Sequence, residues 1–167
     1  DGCSLVAGKA AQPEQIQLGE TVEIQLLLDG RCPVEPPPAD IVMVIDTSGS
    51  MIGSKMIAAR DAAVSFILRA APGSRFGLVS FSGTAVRQLS LTESRSATVV
   101  SVGQLVANGG TNIVGGLREA DAVLRDSTPR PGIQRVVILM SDGRHTQATD
   151  PTTGIPAILA SLGPDTA

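Results

Sequence analysis

The chain has no tryptophan, no tyrosine and only three phenylalanines among its 167 residues. Proteins that stack on bases or sugar rings need exposed aromatic platforms, and there is almost nothing here to build one from. Positive charge is also scarce. Thirteen basic residues stand against 16 acidic ones, for a formal charge of −3, and Lys9 and Lys55 are the only lysines. That balance argues against a nucleic-acid partner, which is usually met by a basic stripe. No apolar run reaches the ~18 residues that a membrane-crossing helix needs. Histidine occurs once, at position 145, so a serine nucleophile has no evident base. No Gly-x-x-x-x-Gly-Lys-Ser/Thr loop for a nucleotide is present. Cysteine is confined to Cys3 and Cys32. One disulfide in an oxidising compartment, contributing roughly 3.5 kcal/mol, and two reduced thiols both fit that count. No basic segment followed by an apolar core opens the chain, so a secreted protein would be met here in processed form.

What is present is a core. Hydrophobic residues make up 43% and charged residues 17%, which excludes wholesale disorder, and the length suits one domain with a short appendage. Residues 1–39 form the appendage. Gln15–Leu18 and Thr21–Leu28 alternate apolar with polar side chains around Gly19-Glu20, the pattern of a hairpin or of sandwich strands. Asp29-Gly30 is read as the end of the second run. The proline-rich stretch Cys32–Pro38 then reads as an extended linker, which puts a domain boundary near residue 39.

Residues 40–167 alternate strand with helix. Ile41–Ile45 and Val136–Met140 are continuous apolar runs, as in strands buried on both faces. Phe76–Phe81 is a third strand, and Ala85–Leu91 a fourth, antiparallel to its neighbour. Helices are predicted over 54–70 (Met56, Ala59, Ala63, Phe66, Ile67 and Ala70 inward), 93–106 and 113–126. A further helix is predicted over 155–162. The order implies an α/β fold, a doubly wound and mostly parallel sheet with helices on both faces. Ligands of such sheets sit beyond the C-terminal strand ends, where the strand order reverses.

Two of those strand ends carry oxygen-rich loops, Asp46-Thr-Ser-Gly-Ser50-Met51 and Ser141-Asp142-Gly143. Gly109-Gly-Thr-Asn112 opens a helix between them. Each phrase alone is also what a turn or helix cap looks like. Together, the two carboxylates and three hydroxyls of Asp46, Ser48, Ser50, Thr111 and Asp142 suit a hard cation such as Mg²⁺, with Mn²⁺ or Ca²⁺ as alternatives. Catalysis finds no such support.

These three phrases, in this order, resemble the metal-ion-dependent adhesion site of the von Willebrand factor type A (VWA) domains: Asp-x-Ser-x-Ser, then Thr, then Asp. The resemblance covers residues 40 to about 162. It implies a Rossmann-like fold in which Ser48, Ser50 and Thr111 bind a divalent cation, Asp46 and Asp142 act through water, and a protein ligand's Asp or Glu completes the coordination. The expected function is therefore a non-enzymatic, metal-dependent protein-binding (adhesion) module of a secreted or cell-surface protein. Two departures stand out. Met51–Lys55 lacks the acidic residues that serve a neighbouring metal site in integrin-type domains. Ala167 also falls before the last one or two strand–helix units of the family, so the VWA-like region is expected to be C-terminally incomplete: either the sequence is a fragment, or another chain completes the sheet, or residues 1–39 contribute, with self-association through the sheet edge as an option. Residues 1–39 resemble the first half of a β-sandwich into which a VWA domain is inserted. A structural subunit of a surface filament and an intracellular scaffold subunit are the alternatives. His145 and Arg144 are expected to be solvated side chains, although both lie close to Asp142. Gly115-Gly116 is expected where the third helix approaches the Asp46 loop.

Overall fold

The structure is a computed structural model. It describes residues 4–12 and 23–31 as backbone, and residues 36–143 and 146 in full. The chain divides into two compact units, residues 1–36 and 37–167, parting inside the proline-rich stretch.

In the first unit, β1 (Ser4–Gln12) pairs antiparallel with β2 (Glu23–Arg31) in an unbroken register from Ser4↔Arg31 to Gln12↔Glu23. Among the described residues the partner of β2 is a segment whose Ala, Gly and Lys content hides its strand character; the expected partner, 15–18, lies outside the described residues. Asp29-Gly30 does not end β2 as expected. The ladder hydrogen bonds carry it through both residues to Arg31. Cys3 and Cys32, and with them the expected disulfide, lie outside the described residues.

The second unit is an α/β sheet of order β5-β4-β3-β6. Strand β3 (Ala39–Asp46) is central. It runs parallel to β4 (Arg75–Phe81) on one side and to β6 (Gln134–Met140) on the other, and β5 (Ala85–Thr92) closes the β4 side antiparallel. The apolar run of β3 serves both faces, because successive side chains point opposite ways. Ile41, Met43 and Ile45 join Phe76 and Leu78 beneath α1 (Ser54–Arg69) and α2 (Arg95–Gly103), which contribute Met56, Ala63, Ile67 and Val102. Val42 and Val44 join Val79 and Phe81 against Ala120, Val123 and Leu124 of α3 (Ile113–Arg125). From Val42 to Ile45 the strand has no exposed surface. Burial of four such side chains stabilises the sheet by roughly 1.5–3 kcal/mol each.

Helix ends are fixed by single side chains. Arg95 donates to the carbonyls of Ile67 (2.5 Å), Ala70 (2.7 Å) and Ala71 (2.9 Å), closing the C-terminus of α1 where the helix leaves acceptors unpaired. The same guanidinium lies over the Phe76 ring. At the same end of the sheet, Asp40 is buried and accepts from Arg75 Nε (2.8 Å) and Nη2 (2.5 Å) and from Arg130.

Two expectations about burial fail. Phe66 points outward at 37% exposure, since Ile67 takes the inward position on that turn. Strand β6 is not enclosed on both sides: it is an edge strand among the described residues, and Leu139 is 41% exposed. An apolar run cannot by itself say whether a further strand lies beside it. The helix expected over 155–162 lies outside the described residues.

Candidate functional site

The chain leaves β3 through α1 to reach β4 on one side, and later reaches β6 on the other through α3. The C-terminal end of β3 is therefore where the strand order reverses, and Asp46 is its last residue. Asp46 has no exposed surface. Its Oδ1 accepts from the Ser48 backbone N–H at 2.8 Å, and its Oδ2 accepts from Ser141 Oγ at 2.5 Å. Among the described residues both partners are neutral donors. A buried carboxylate is ordinarily matched by a cationic side chain or by a metal ion.

The backbone turns sharply after Asp46. Thr47 is tied to the Phe81 carbonyl through both its N–H (2.7 Å) and its Oγ1 (3.0 Å). A single 3₁₀ turn, Gly49–Met51, follows before α1. The cap-and-turn reading accounts for the Asp46–Ser48 bond alone. Ser48 precedes the 3₁₀ turn without capping it through its side chain, and Gly53 rather than a serine precedes α1. The hydroxyls point elsewhere. Ser48 Oγ lies 3.0 Å from Ser50 Oγ, and Ser50 Oγ donates to Asp142 Oδ1 at 2.8 Å.

The loop before α3 is laced to the first. Asn108 N–H donates to the Thr47 carbonyl (2.6 Å), Gly49 N–H to the Gly109 carbonyl (2.9 Å), and Asn112 N–H to the Ser82 carbonyl (2.7 Å). Asn112 caps α3 by accepting from Gly115 N–H at 2.9 Å. A Cβ on Gly115 would lie 2.9 Å from that cap, and one on Gly116 would lie 2.8 Å from the Phe81 ring and 3.0 Å from Val44. The two glycines thus admit the cap and seat α3 on the sheet. Their close approach is to the sheet and to Asn112 rather than to the Asp46 loop as expected.

Thr111 is buried between these contacts. Its N–H donates to Thr146 Oγ1 (2.8 Å) and its carbonyl accepts from Thr146 N–H (2.9 Å). The loop after β6 thereby clasps Thr111 from the far side. Gly143 shows the convergence most directly. A Cβ placed on it would lie 3.4 Å from Ser50 Oγ, 3.7 Å from Asp46 Oδ2 and 3.7 Å from Thr111 Oγ1. Oxygens from the loop after β3 and the loop before α3 thus converge on the backbone of the loop after β6, where the glycine sets no side chain between them.

The structure brings together all five residues singled out from sequence: Asp46, Ser48, Ser50, Thr111 and Asp142. Three more belong to the cluster and were missed as site residues. Ser141 braces Asp46, Thr146 clasps Thr111, and Lys55, on the first turn of α1, bonds its ammonium to Asp142 Oδ2. Lys55 and the hydroxyl of Ser50 hold the Asp142 carboxyl below the usual carboxylate range. Ser141 belongs to the Ser-Asp-Gly phrase after β6, but nothing in the spacing of Lys55 or Thr146 marks them. Arg144 and His145 lie outside the described residues.

The donor set, carboxylate and hydroxyl oxygen throughout, fits a hard divalent cation and not a soft one. Among the described residues no cluster of three or more His, Cys, Asp or Glu side chains offers a competing site.

Comparison with known proteins agrees with this fold. A family model described as von Willebrand factor type A domain matches residues 41–145. Inter-alpha-trypsin inhibitor heavy chain H4 of Sus scrofa is 32% identical over 124 residues, covering 70% of this chain and 13% of that protein. The vWF domain of the type V pili tip protein Mfa5 from Porphyromonas gingivalis aligns with a TM-score of 0.58 at 31% identity, over 65% of this chain and 38% of that one. A von Willebrand factor type A structure from Catenulispora acidiphila aligns with a TM-score of 0.64 at 25% identity, over 97% of this chain and 38% of that one. The chain spans well under half the length of each of these three proteins.

Proposed function

Since the chain belongs to the von Willebrand factor type A family, whose domains are generally non-enzymatic modules that bind proteins, we propose that it is a divalent-metal-dependent adhesion module of an extracellular or cell-surface protein. The observation that carries the reading is Asp46. Among the described residues it is a fully buried carboxylate with only neutral partners, set among hydroxyls contributed by three loops.

Asp46, Ser48, Ser50, Thr111 and Asp142 are the residues that would hold the ion, Mg²⁺ foremost and Mn²⁺ or Ca²⁺ by the same oxygen chemistry. Bound there, the cation supplies an electrophilic centre for one more anionic oxygen, the carboxylate of a partner's Asp or Glu. The protein's own contribution is preorganisation. The Phe81 carbonyl fixes the turn at Thr47, Ser141 orients Asp46, and Thr146 fixes the backbone of Thr111, so little reordering is left for the moment of binding. The hydroxyls add no charge, so an ion held this way stays electrophilic at close range toward a guest's acid group. The pilus-tip relative favours an adhesive, extracellular setting.

Titration calorimetry with Mg²⁺, Mn²⁺ and Ca²⁺ tests the reading. The wild-type chain is expected to bind at least one of them with a stoichiometry of about one. The Asp46→Ala variant is expected to bind none. Equal heats from both proteins would remove the site.

A further inference from the structure

The cluster is electrostatically lopsided. Asp46 has no cation beside it among the described residues, whereas Asp142 has one: Oδ1 takes the Ser50 hydroxyl and Oδ2 takes the Lys55 ammonium. Lys55 is the second residue of α1, and it sits in the stretch that carries no acid. The Lys55 side chain is 56% exposed and that of Asp142 20% exposed, so the pair forms the solvent-facing rim of the cluster.

Resting on the metal-binding reading above, we propose that Lys55 is a tethered counter-cation that weakens the site's grip on a bare ion and strengthens its grip on an acidic guest. The charge count gives both signs. Two carboxylates and neutral hydroxyls cancel a divalent ion, and a cancelled site exerts little long-range attraction on a further carboxylate. Among the described residues, Lys55 leaves the loaded site with one net positive charge. The same positive charge repels the ion as it arrives. Lys55 bonds to the Asp142 oxygen opposite the one held by Ser50, so it can exert both effects without occupying the space among the hydroxyls.

A plain positioning role makes the opposite prediction for the ion. If Lys55 served only to hold Asp142 in place, its loss would free that carboxylate and weaken metal binding.

The experiment compares the whole wild-type chain with Lys55→Gln and Lys55→Arg. Mn²⁺ affinity is read by calorimetry. Acetate is then titrated into the Mn²⁺-loaded proteins and followed by the fall in water-proton relaxation as it displaces coordinated water. Lys55→Gln should bind Mn²⁺ about tenfold more tightly, the order expected from one charge acting on a divalent ion across a few ångströms of water. It should bind acetate several-fold more weakly. Lys55→Arg should stay within about twofold of wild type on both measures, because it keeps the charge. The Mn²⁺ difference between wild type and Lys55→Gln should shrink at about 1 M salt, where the screening length falls to roughly 3 Å. Equal or weaker Mn²⁺ binding by Lys55→Gln would overturn the counter-cation role. A wild-type chain that binds no Mn²⁺, Mg²⁺ or Ca²⁺ would overturn the metal reading itself, a failure visible before any Lys55 variant is measured.

Discussion

If Asp46 is held in readiness for an ion, the ion-free protein bears the cost of burying its charge, and removing that charge should stabilise it. Asp46→Asn is the cleanest perturbation. The amide oxygen still accepts from Ser48 N–H, and the amide nitrogen meets Ser141 Oγ, a hydroxyl that can turn from donor to acceptor. Shape and hydrogen bonds are kept while the charge is lost. Burying an unpaired ion costs several kcal/mol after relaxation, and two hydrogen bonds to a charged acceptor return roughly 1.5–3 kcal/mol each. The ion-free variant should therefore gain about 1–2 kcal/mol, or about 4–8 °C in melting temperature for a unit of this size. Saturating Mg²⁺ should reverse the order. At about one hundred times the dissociation constant, wild type gains about 2.7 kcal/mol by mass action, and the variant gains nothing. Thermal melts followed by circular dichroism, in EDTA and across a Mg²⁺ series, should show the two curves crossing. An Asn variant that melts several degrees below wild type in EDTA would refute the reasoning, because the Asp46 charge would then already be balanced within the fold.

Other sites give sharper, narrower tests. Asp40 is buried: desolvation pushes its carboxyl up, but hydrogen bonds and charge from Arg75 and Arg130 outweigh this and hold it below its ordinary value of 3.8. The stability it contributes is complete above that value and is lost as pH falls through the lower folded one. Asp40→Asn should therefore cost about 3–5 kcal/mol at pH 7 by denaturant titration, with the gap closing below about pH 4; a gap that persists unchanged to pH 2 would contradict this. Gly143→Ala would set a methyl in ordinary contact with Ser50, Asp46 and Thr111 oxygens, so its EDTA melt should match wild type. Its Mn²⁺ affinity should nevertheless fall about tenfold or more, the scale of a disturbed metal surround; unchanged affinity would mean that the ion does not share that space.

The central strands were legible because burial on both faces writes itself directly into sequence. Ile41–Ile45 has no polar alternation, and the structure places that run between two sheet neighbours and two helical layers. The helices at 54–69, 95–103 and 113–125 followed from spacing, with errors of a residue or two at the ends and more at α2, whose β-branched content blurs its limits. The failures share a cause. Strand β1 and the edge position of β6 depend on which segment lies alongside, and pairing across distance leaves no local mark on a stretch such as Ser4–Gln12. Phe66 misled because hydrophobic spacing of three and four allows two adjacent residues on one turn, and packing against the sheet chose Ile67.

The site divides along the same line. Asp46, Ser48 and Ser50 were readable because one turn sets their relative positions, and Thr111 and Asp142 because each belongs to a short phrase at a strand or helix end. Lys55, Thr146 and the brace from Ser141 were not readable in that role. Each acts across 35 to 95 residues on a partner that only the folded sheet brings near. This difference has a physical basis. Atoms meant to touch an ion must sit on stiff local geometry, and stiff local geometry is short in sequence. The groups that orient those atoms and balance their charge can be recruited from anywhere the fold allows. A chain that kept the five oxygens but lost Lys55 would look unchanged by its motifs, yet on the proposal above would hold the ion more tightly and the guest more weakly.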